Sequence, residues 1–204
     1  MELDRYTFEK QLWSEGYTRA MGLDEVGRGC LCGPVVAAGV ILDPDTSENL
    51  GLKDSKTIKK ADREDLSAQI KSEALYWTIK SCSPTEIDKM NILQASLKAM
   101  QKCTESRGAT PDYLLIDGNK SPATMLPLTC LVKGDNRSAS IAAASILAKV
   151  YRDDLMVKLH EKYPYYGWNS NVGYPTQEHF AGLETYGYTM HHRKSFKLRT
   201  EKSF

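Results

Sequence analysis

Hydrophobic positions in this chain fall into short dense blocks separated by stretches with helical spacing. Residues 17–23 (YTRAMGL) read as a first strand, ending at Asp24-Glu25, and Gly27-Arg28-Gly29 breaks the pattern after it. Residues 34–42 (PVVAAGVIL) are valine-rich, too short to cross a membrane, and followed by Asp43-Pro44-Asp45. They predict a buried strand and a turn. Residues 52–60 are polar and lysine-rich and predict a loop. A helix is predicted from Ala61-Asp62 to about Glu73, and a strand over 74–81 (ALYWTIKS). Ser83, Pro84 and Glu86 have the spacing of an N-cap, a first helical residue and a capping-box partner. A long helix is predicted over about 91–106. Tyr113, Leu114, Leu115 and Ile116 run unbroken into Asp117-Gly118 and predict a strand covered on both faces. Residues 126–133 predict another strand, 138–159 a long helix and 177–186 a shorter one. Strands first, then helices and strands in alternation, make this a mixed α/β sandwich. Residues 164–173 mark the border of a small C-terminal helical piece.

At 204 residues the chain is expected to form one domain with at most a small appendage. A globule of that size buries roughly 70% of its unfolded surface, so no disulfide or metal staple is needed for stability. The 27 Lys+Arg nearly cancel the 26 Asp+Glu, which excludes a strongly basic coat for nucleic acid but not a local basic patch. The tail over 191–204 carries five Lys+Arg against one Glu. There is no apolar run long enough for a transmembrane helix, and the opening MELDRYTFEKQLW lacks a signal core, so we expect a cytosolic protein without membrane contact. Cys30, Cys32, Cys82, Cys103 and Cys130 are an odd set at irregular spacing and predict small buried hydrophobes rather than a zinc site.

The chemistry lies in the acids. Asp24, Glu25 and Asp117 each sit where an apolar strand stops, the end at which open α/β sheets bind ligands. Neighbouring strands are about 4.8 Å apart, so carboxylates at two strand ends can face one ion. Taken singly, each is equally a turn residue. Asp135, in Lys133-Gly134-Asp135-Asn136-Arg137, lies near the positive end of the long helix, where a structural role would account for it alone. That helix carries Ala142, Ala143, Ala144 and Ala148, little enough bulk to approach a sheet closely. Its stripe Ser138, Ala142, Ser145, Lys149, Arg152, Asp153 is either a solvated face or one that sets Lys149 beside the acids. Converging carboxylates repel unless cations neutralise them, and all-oxygen ligands select Mg²⁺ or Mn²⁺. Two such ions suit in-line displacement at phosphorus. The glycines of Gly27-Arg28-Gly29 would let backbone approach a ribose 2′-OH, and Arg28 would pair with a phosphate. Lys56 lies in a second candidate phosphate contact, and Tyr174 offers a ring for stacking in the rigid Gly173-Tyr174-Pro175-Thr176 turn. His160, His179, His191 and His192 show no general acid–base couple, and no Walker-type phosphate loop occurs.

The blocks GLDEVGRGCLCGPVVAAGVIL, LKDSK, LLIDGNK, KGDNRSASIAAASILAKVYRD, GYPTQEH and HHRKSF stand in the order found in bacterial ribonuclease HII, which the chain resembles over residues 21–197. The resemblance implies a ribonuclease H-like mixed sheet flanked by helices, with a catalytic domain over 1–163 and a C-terminal helical extension and basic tail over 164–204. It implies metal-dependent endonucleolytic cleavage of RNA in RNA–DNA hybrids and on the 5′ side of ribonucleotides embedded in duplex DNA, leaving 3′-hydroxyl and 5′-phosphate ends. Asp24, Glu25, Asp117 and Asp135 match the catalytic carboxylates that hold Mn²⁺ or Mg²⁺. Gly27, Arg28 and Gly29 match the segment that reads the ribonucleotide, and Tyr174 the tyrosine that packs on the following deoxyribose. Lys56 and Lys149 resemble substrate or active-site lysines, and Asp153 an acid standing behind the metal ligands. The partner implied is an RNA–DNA hybrid or a ribonucleotide-containing DNA duplex, bound by a monomer. Val172 departs from the pattern where lysine is expected. With 23 residues ahead of Asp24, the large N-terminal domain of the ribonuclease HIII type is not expected. Two rivals stay open on the residues alone. One is a DNA-only nuclease of the same fold, which has no need of the Gly-Arg-Gly reader. The other is a hybrid-binding module without catalysis, which would be expected to lose an acid.

Overall fold

The computed structural model describes residues 4–45, 50, 52 and 59–196. Lys56 and the rest of its lysine-rich segment over 53–58, and the last part of the basic tail over 197–204, lie outside the described residues. Five strands form one sheet: β1 (Ala20–Val26), β2 (Val35–Ile41), β3 (Tyr76–Cys82), β4 (Tyr113–Asp117) and β5 (Leu128–Leu131), in the order β3-β2-β1-β4-β5. β1, β2 and β3 make an antiparallel meander; β4 joins β1 in parallel, and β5 joins β4 in parallel.

Every residue of β2 is buried, because helices cover both faces of the sheet. On one face α5 (Ala139–Lys162) packs its alanines against Val36, Ala38 and Val40. On the other α4 (Ile92–Thr104) brings Ala95, Ala99 and Cys103 against Leu23, Val35, Ala37 and Ile116. Such two-sided cover is what an uninterrupted run of Val and Ala requires. α2 (Lys60–Glu73) lies against α5. α3 (Pro84–Met90) starts with the expected capping box, Ser83 Oγ accepting from Glu86 N and the Glu86 side chain accepting from Ser83 N. Beyond α5 come the short α6 (Trp168–Asn171) and α7 (Gln177–Tyr186), whose core is Tyr166, Trp168, Leu183 and Met156. All five cysteines are free thiols, four of them buried.

The structure revises two expectations and decides between two readings left open. β1 runs to Val26, so Asp24 and Glu25 lie inside the strand rather than just past its end. They are held there by pairing with Ala38 and Ala37 of β2. An N-terminal helix, α1 (Thr7–Ser14), stands where the pattern predicts no element, only a charged N-terminus. Its Phe8 and Leu12, one turn apart, pack against Ala20, Leu115 and Ile141. Finally, the face of α5 bearing Ser138, Ala142 and Arg152 is buried, and Ser145, Lys149 and Asp153 are half-buried, so that stripe is not a solvated face.

Candidate active site

A cleft of about 420 Å³ opens where β1 and β4 meet the start of α5. Asp24, Glu25, Gly27, Arg28, Gly29, Asp117, Asp135, Ser145, Lys149 and Tyr174 all line it. Strand register explains the meeting of the acids. Leu23 of β1 is opposite Ile116 of β4 in the parallel ladder, so the next step sets Asp24 beside Asp117 on the same face. That is the face covered by α5, since Leu115 packs with Ile141. Glu25 points to the other side of β1, where it also lines a smaller cleft with Leu93, Ser96, Asn119 and Lys120. Asp135 arrives separately. Gly134 N donates to Asp117 Oδ1 at 2.7 Å, tying the end of β4 to the single 3₁₀ turn Gly134–Asn136 that carries Asp135.

Asp135 is not needed to cap α5. Ser138 Oγ accepts from Ile141 N at the helix start. The buried Glu9 of α1 accepts at Oε1 from Ser140 N (2.9 Å) and Ser140 Oγ (2.7 Å). The first backbone donors of α5 thus have other partners.

Electrostatically the site is strained toward positive partners. Burial, and then the nearby Glu25 and Asp117, hold the Asp24 carboxyl well above the usual carboxylate range, against hydrogen bonds from Ser145 and from Glu25 N. Burial also raises Glu25, opposed by Arg28, whose Nη1 donates to Glu25 Oε1 at 3.0 Å. Lys149 Nζ pairs with Asp153 Oδ1 at 2.8 Å, so Asp153 stands behind the cleft and steers its lysine. Among the described residues no three His, Cys, Asp or Glu groups stand close enough together to hold an ion as they are placed. Each of the four carboxylates accepts from a protein donor: Asp24 from Glu25 N and Ser145, Glu25 from Arg28, Asp117 from Gly134 N, and Asp135 from Asn136 Nδ2. The donor set still fits hard divalent cations. It is all oxygen and anionic, and like-charge crowding at Asp24 is what a bound cation relieves.

The Gly-Arg-Gly segment and Tyr174 meet across the mouth. Gly27 has φ +92°, and a Cβ there would lie 2.2 Å from Arg152 Nε, so only glycine fits. A Cβ on Gly29 would lie 3.5 Å from Tyr174 Cε1. The Tyr174 side chain hydrogen-bonds to Cys30, and its carbonyl accepts from His179 Nδ1 at 2.9 Å. Thr189 N donates to His192 Nδ1, which leaves His192 Nε2 to donate to His179 Nε2 at 3.1 Å. Trp168 Nε1 donates to the same atom at 3.2 Å. The two histidines are therefore a neutral hydrogen-bonded pair. Sequence reasoning gives no role to Ser145, although it places it on the correct stripe. It also misses Arg193, whose only signal is its place in HHRKSF.

Comparison with known proteins agrees with this architecture. The family model described as Ribonuclease HII matches residues 21–199. A curated ribonuclease HII of Salinibacter ruber is 52% identical over 194 residues, covering 93% of this chain and 96% of its own. The crystal structure of ribonuclease H2 from Pyrococcus horikoshii superposes with a TM-score of 0.75 at 26% identity, covering 88% of this chain and 94% of that one. The Archaeoglobus fulgidus RNase HII, solved in complex with PCNA, also gives 0.75, at 27% identity and covering 90% and 97%. The mixed sheet between helices is the ribonuclease H-like fold.

Proposed function

Because the chain belongs to the ribonuclease HII family, whose members are hydrolytic endonucleases acting on RNA–DNA hybrids, we propose that its cleft cuts on the 5′ side of a ribonucleotide, including one embedded in duplex DNA. The products are a 3′-hydroxyl and a 5′-phosphate. The observation that carries this reading is the convergence on one cleft of four carboxylates, the Gly27-Arg28-Gly29 loop and the Tyr174 ring. The acids alone would suit any nuclease of this fold. The loop and ring add a place for a ribose.

Asp24, Glu25, Asp117 and Asp135 would hold two Mg²⁺ or Mn²⁺ ions. Bound there, divalent cations supply activation of water and charge stabilisation at the leaving oxygen. The chain's own residues do the rest. The backbone of residues 27–29 approaches the sugar where a Cβ would obstruct it. Arg28, half-exposed beside Glu25, is placed to exchange its carboxylate partner for a phosphate. Tyr174, exposed at the mouth of the cleft, covers the neighbouring sugar with its ring. Lys149, oriented by Asp153, adds a cation at the acid end of the cleft. Lys56 is proposed as a further phosphate contact. No helix among the described residues is long and apolar enough to cross a membrane.

A duplex with one ribonucleotide, incubated with Mg²⁺, Mn²⁺ or a chelator, tests the proposal. The expected result is a single cut 5′ of the ribonucleotide, abolished by the chelator. Equal cutting of an all-DNA duplex would favour the DNA-only rival, and binding without any cut would favour the binding module.

A further inference from the structure

Two arginines of this chain are almost completely buried, Arg152 at 0% and Arg193 at 1% relative exposure, and among the described residues neither forms an ion pair with an acid. Burying a guanidinium without a carboxylate is costly unless its donors are well used. Here they are used on backbone carbonyls, all but one of them in the loop joining β1 to β2. Arg193 Nη2 donates to Gly27 O at 2.7 Å, Nη1 to Arg28 O at 3.0 Å and Nε to Gly33 O at 3.0 Å. Arg152 donates to Pro34 O (3.1 Å), Cys32 O (3.0 Å) and Val172 O (2.8 Å). Backbone bonds from Gly33 N to His191 O and from Arg193 N to Leu31 O seat the loop on the chain around Arg193.

The planarity of the peptide gives this arrangement a consequence. In a trans peptide the carbonyl of one residue and the N–H of the next point in opposite directions. Gly27 O and Arg28 O both face the buried guanidinium. The N–H groups of Arg28 and Gly29 therefore point away from it, and residues 27–29 line the cleft. A planar fork spanning two successive carbonyls sets two successive N–H donors at once, which a lysine ammonium does not reproduce.

We infer that Arg193 is a positioning residue for sugar selectivity: it fixes the Gly27–Arg28 and Arg28–Gly29 peptide planes so that two backbone donors face the 2′-oxygen of the substrate ribose. The inference rests on the ribose-reading role proposed above for this loop. Arg152 braces the same loop and the turn before Tyr174, so that reader and ring keep their spacing.

The test compares wild type with Arg193→Lys, which keeps the charge and loses the fork. Binding is measured with a chelator present, on a duplex containing one ribonucleotide and on its all-DNA counterpart. The expected result is a fall of about tenfold in the ratio of the two affinities, the scale of one or two hydrogen bonds, with all-DNA affinity within about twofold. A folded variant with an unchanged ratio, or with both affinities lowered in proportion, overturns the inference. Amide exchange on the wild-type protein reads the same point without a variant. The Arg28 and Gly29 amides should be protected by the ribonucleotide duplex and not by the all-DNA duplex; equal protection overturns it. If wild type fails to cut the ribonucleotide duplex with either ion, the functional reading fails. If it cuts while the affinity ratio of Arg193→Lys stays at the wild-type value, only the role of Arg193 fails.

Discussion

Gly22 of β1 and Ser140 of α5 touch backbone to backbone: a Cβ built on Gly22 would lie 2.2 Å from the Ser140 carbonyl carbon. This close approach brings Ser145, one and a half turns further along α5, into hydrogen-bonding range of Asp24. Gly22→Ala would have to push a helix, since no flexible side chain stands there to yield. We expect a loss of about 1–3 kcal/mol in denaturant unfolding and a drop in cleavage larger than the loss of folded protein explains. A wild-type midpoint in the variant would refute the close-packing argument.

Asp24→Asn and Asp117→Asn should separate catalysis from folding. In the first variant the new amide oxygen can still accept from Glu25 N, and a crowded charge is removed. Thermal stability at pH 7 to 8 is expected to hold or rise while cleavage falls by at least about a hundredfold. Substantial activity in either variant would remove that carboxylate from the catalytic set.

The buried Glu9 links α1, a helix the sequence pattern does not predict, to the position of the fourth carboxylate. It accepts from Ser138 Oγ, Ser140 Oγ and Ser140 N, while Arg5 Nη1 donates to Asp135 O and Ala139 N donates to Arg5 O. Glu9→Ala leaves buried donors unmet at the start of α5 and should cost about 2 kcal/mol or more. With Asp135 less firmly placed, the half-saturating Mg²⁺ concentration for cleavage should rise. An unchanged Mg²⁺ requirement would limit Glu9 to stability alone.

Legibility followed how local the cause was. The capping box at Ser83 and the limits of α7 depend on neighbours in sequence, and both stand where the pattern puts them. The β2 block is legible because an apolar strand covered on both faces has no polar alternation to blur it. α1 is not, because its Phe8–Leu12 pair is interrupted by charge, and one of those charges, Glu9, turns inward to partners about 130 positions away. The end of β1 is hidden for a similar reason. Acids usually stop strands, but here the buried Ala37 and Ala38 of β2 hold Asp24 and Glu25 in the ladder. The carboxylates and the Gly-Arg-Gly loop are legible as residue types. The arginine grip beneath the loop is not, because it joins residues 27 and 193 through backbone carbonyls that carry no sequence signature.

Stability should fall on acidification through the His179–His192 pair. Burial and the neighbouring His179 lower His192 to about 4. An unfolded chain takes up the His192 proton near pH 6.5, whereas the folded one resists until about 4. Between those values the unfolded state binds more protons, so the contribution of His192 is complete above pH 6.5 and is lost as pH drops toward 4. Asp24 and Glu25 are raised, and their contribution runs the other way, present at low pH and lost as pH rises. Comparing wild type with His192→Gln isolates the histidine. The gap between their melting temperatures should narrow steadily from pH 6.5 to 4, and a constant gap would count against it.

Val172 tests how much the missing lysine matters. It is a β-branched residue at φ +42°, a left-handed conformation that such residues rarely adopt, and its carbonyl is held by Arg152. It is half-buried against the Trp168 core, two residues before Tyr174. In Val172→Lys the unbranched stem relieves the crowding at Cβ and covers the same apolar surface, while the ammonium reaches solvent near the ring. The fold should tolerate the change, and affinity for duplex should rise with a steeper salt dependence, by roughly one unit in the slope of log K against log salt if one phosphate is contacted. Titrations at several salt concentrations decide it. An unchanged slope would mean that position 172 does not face the nucleic-acid backbone, and that the departure from the family pattern costs this chain no phosphate contact.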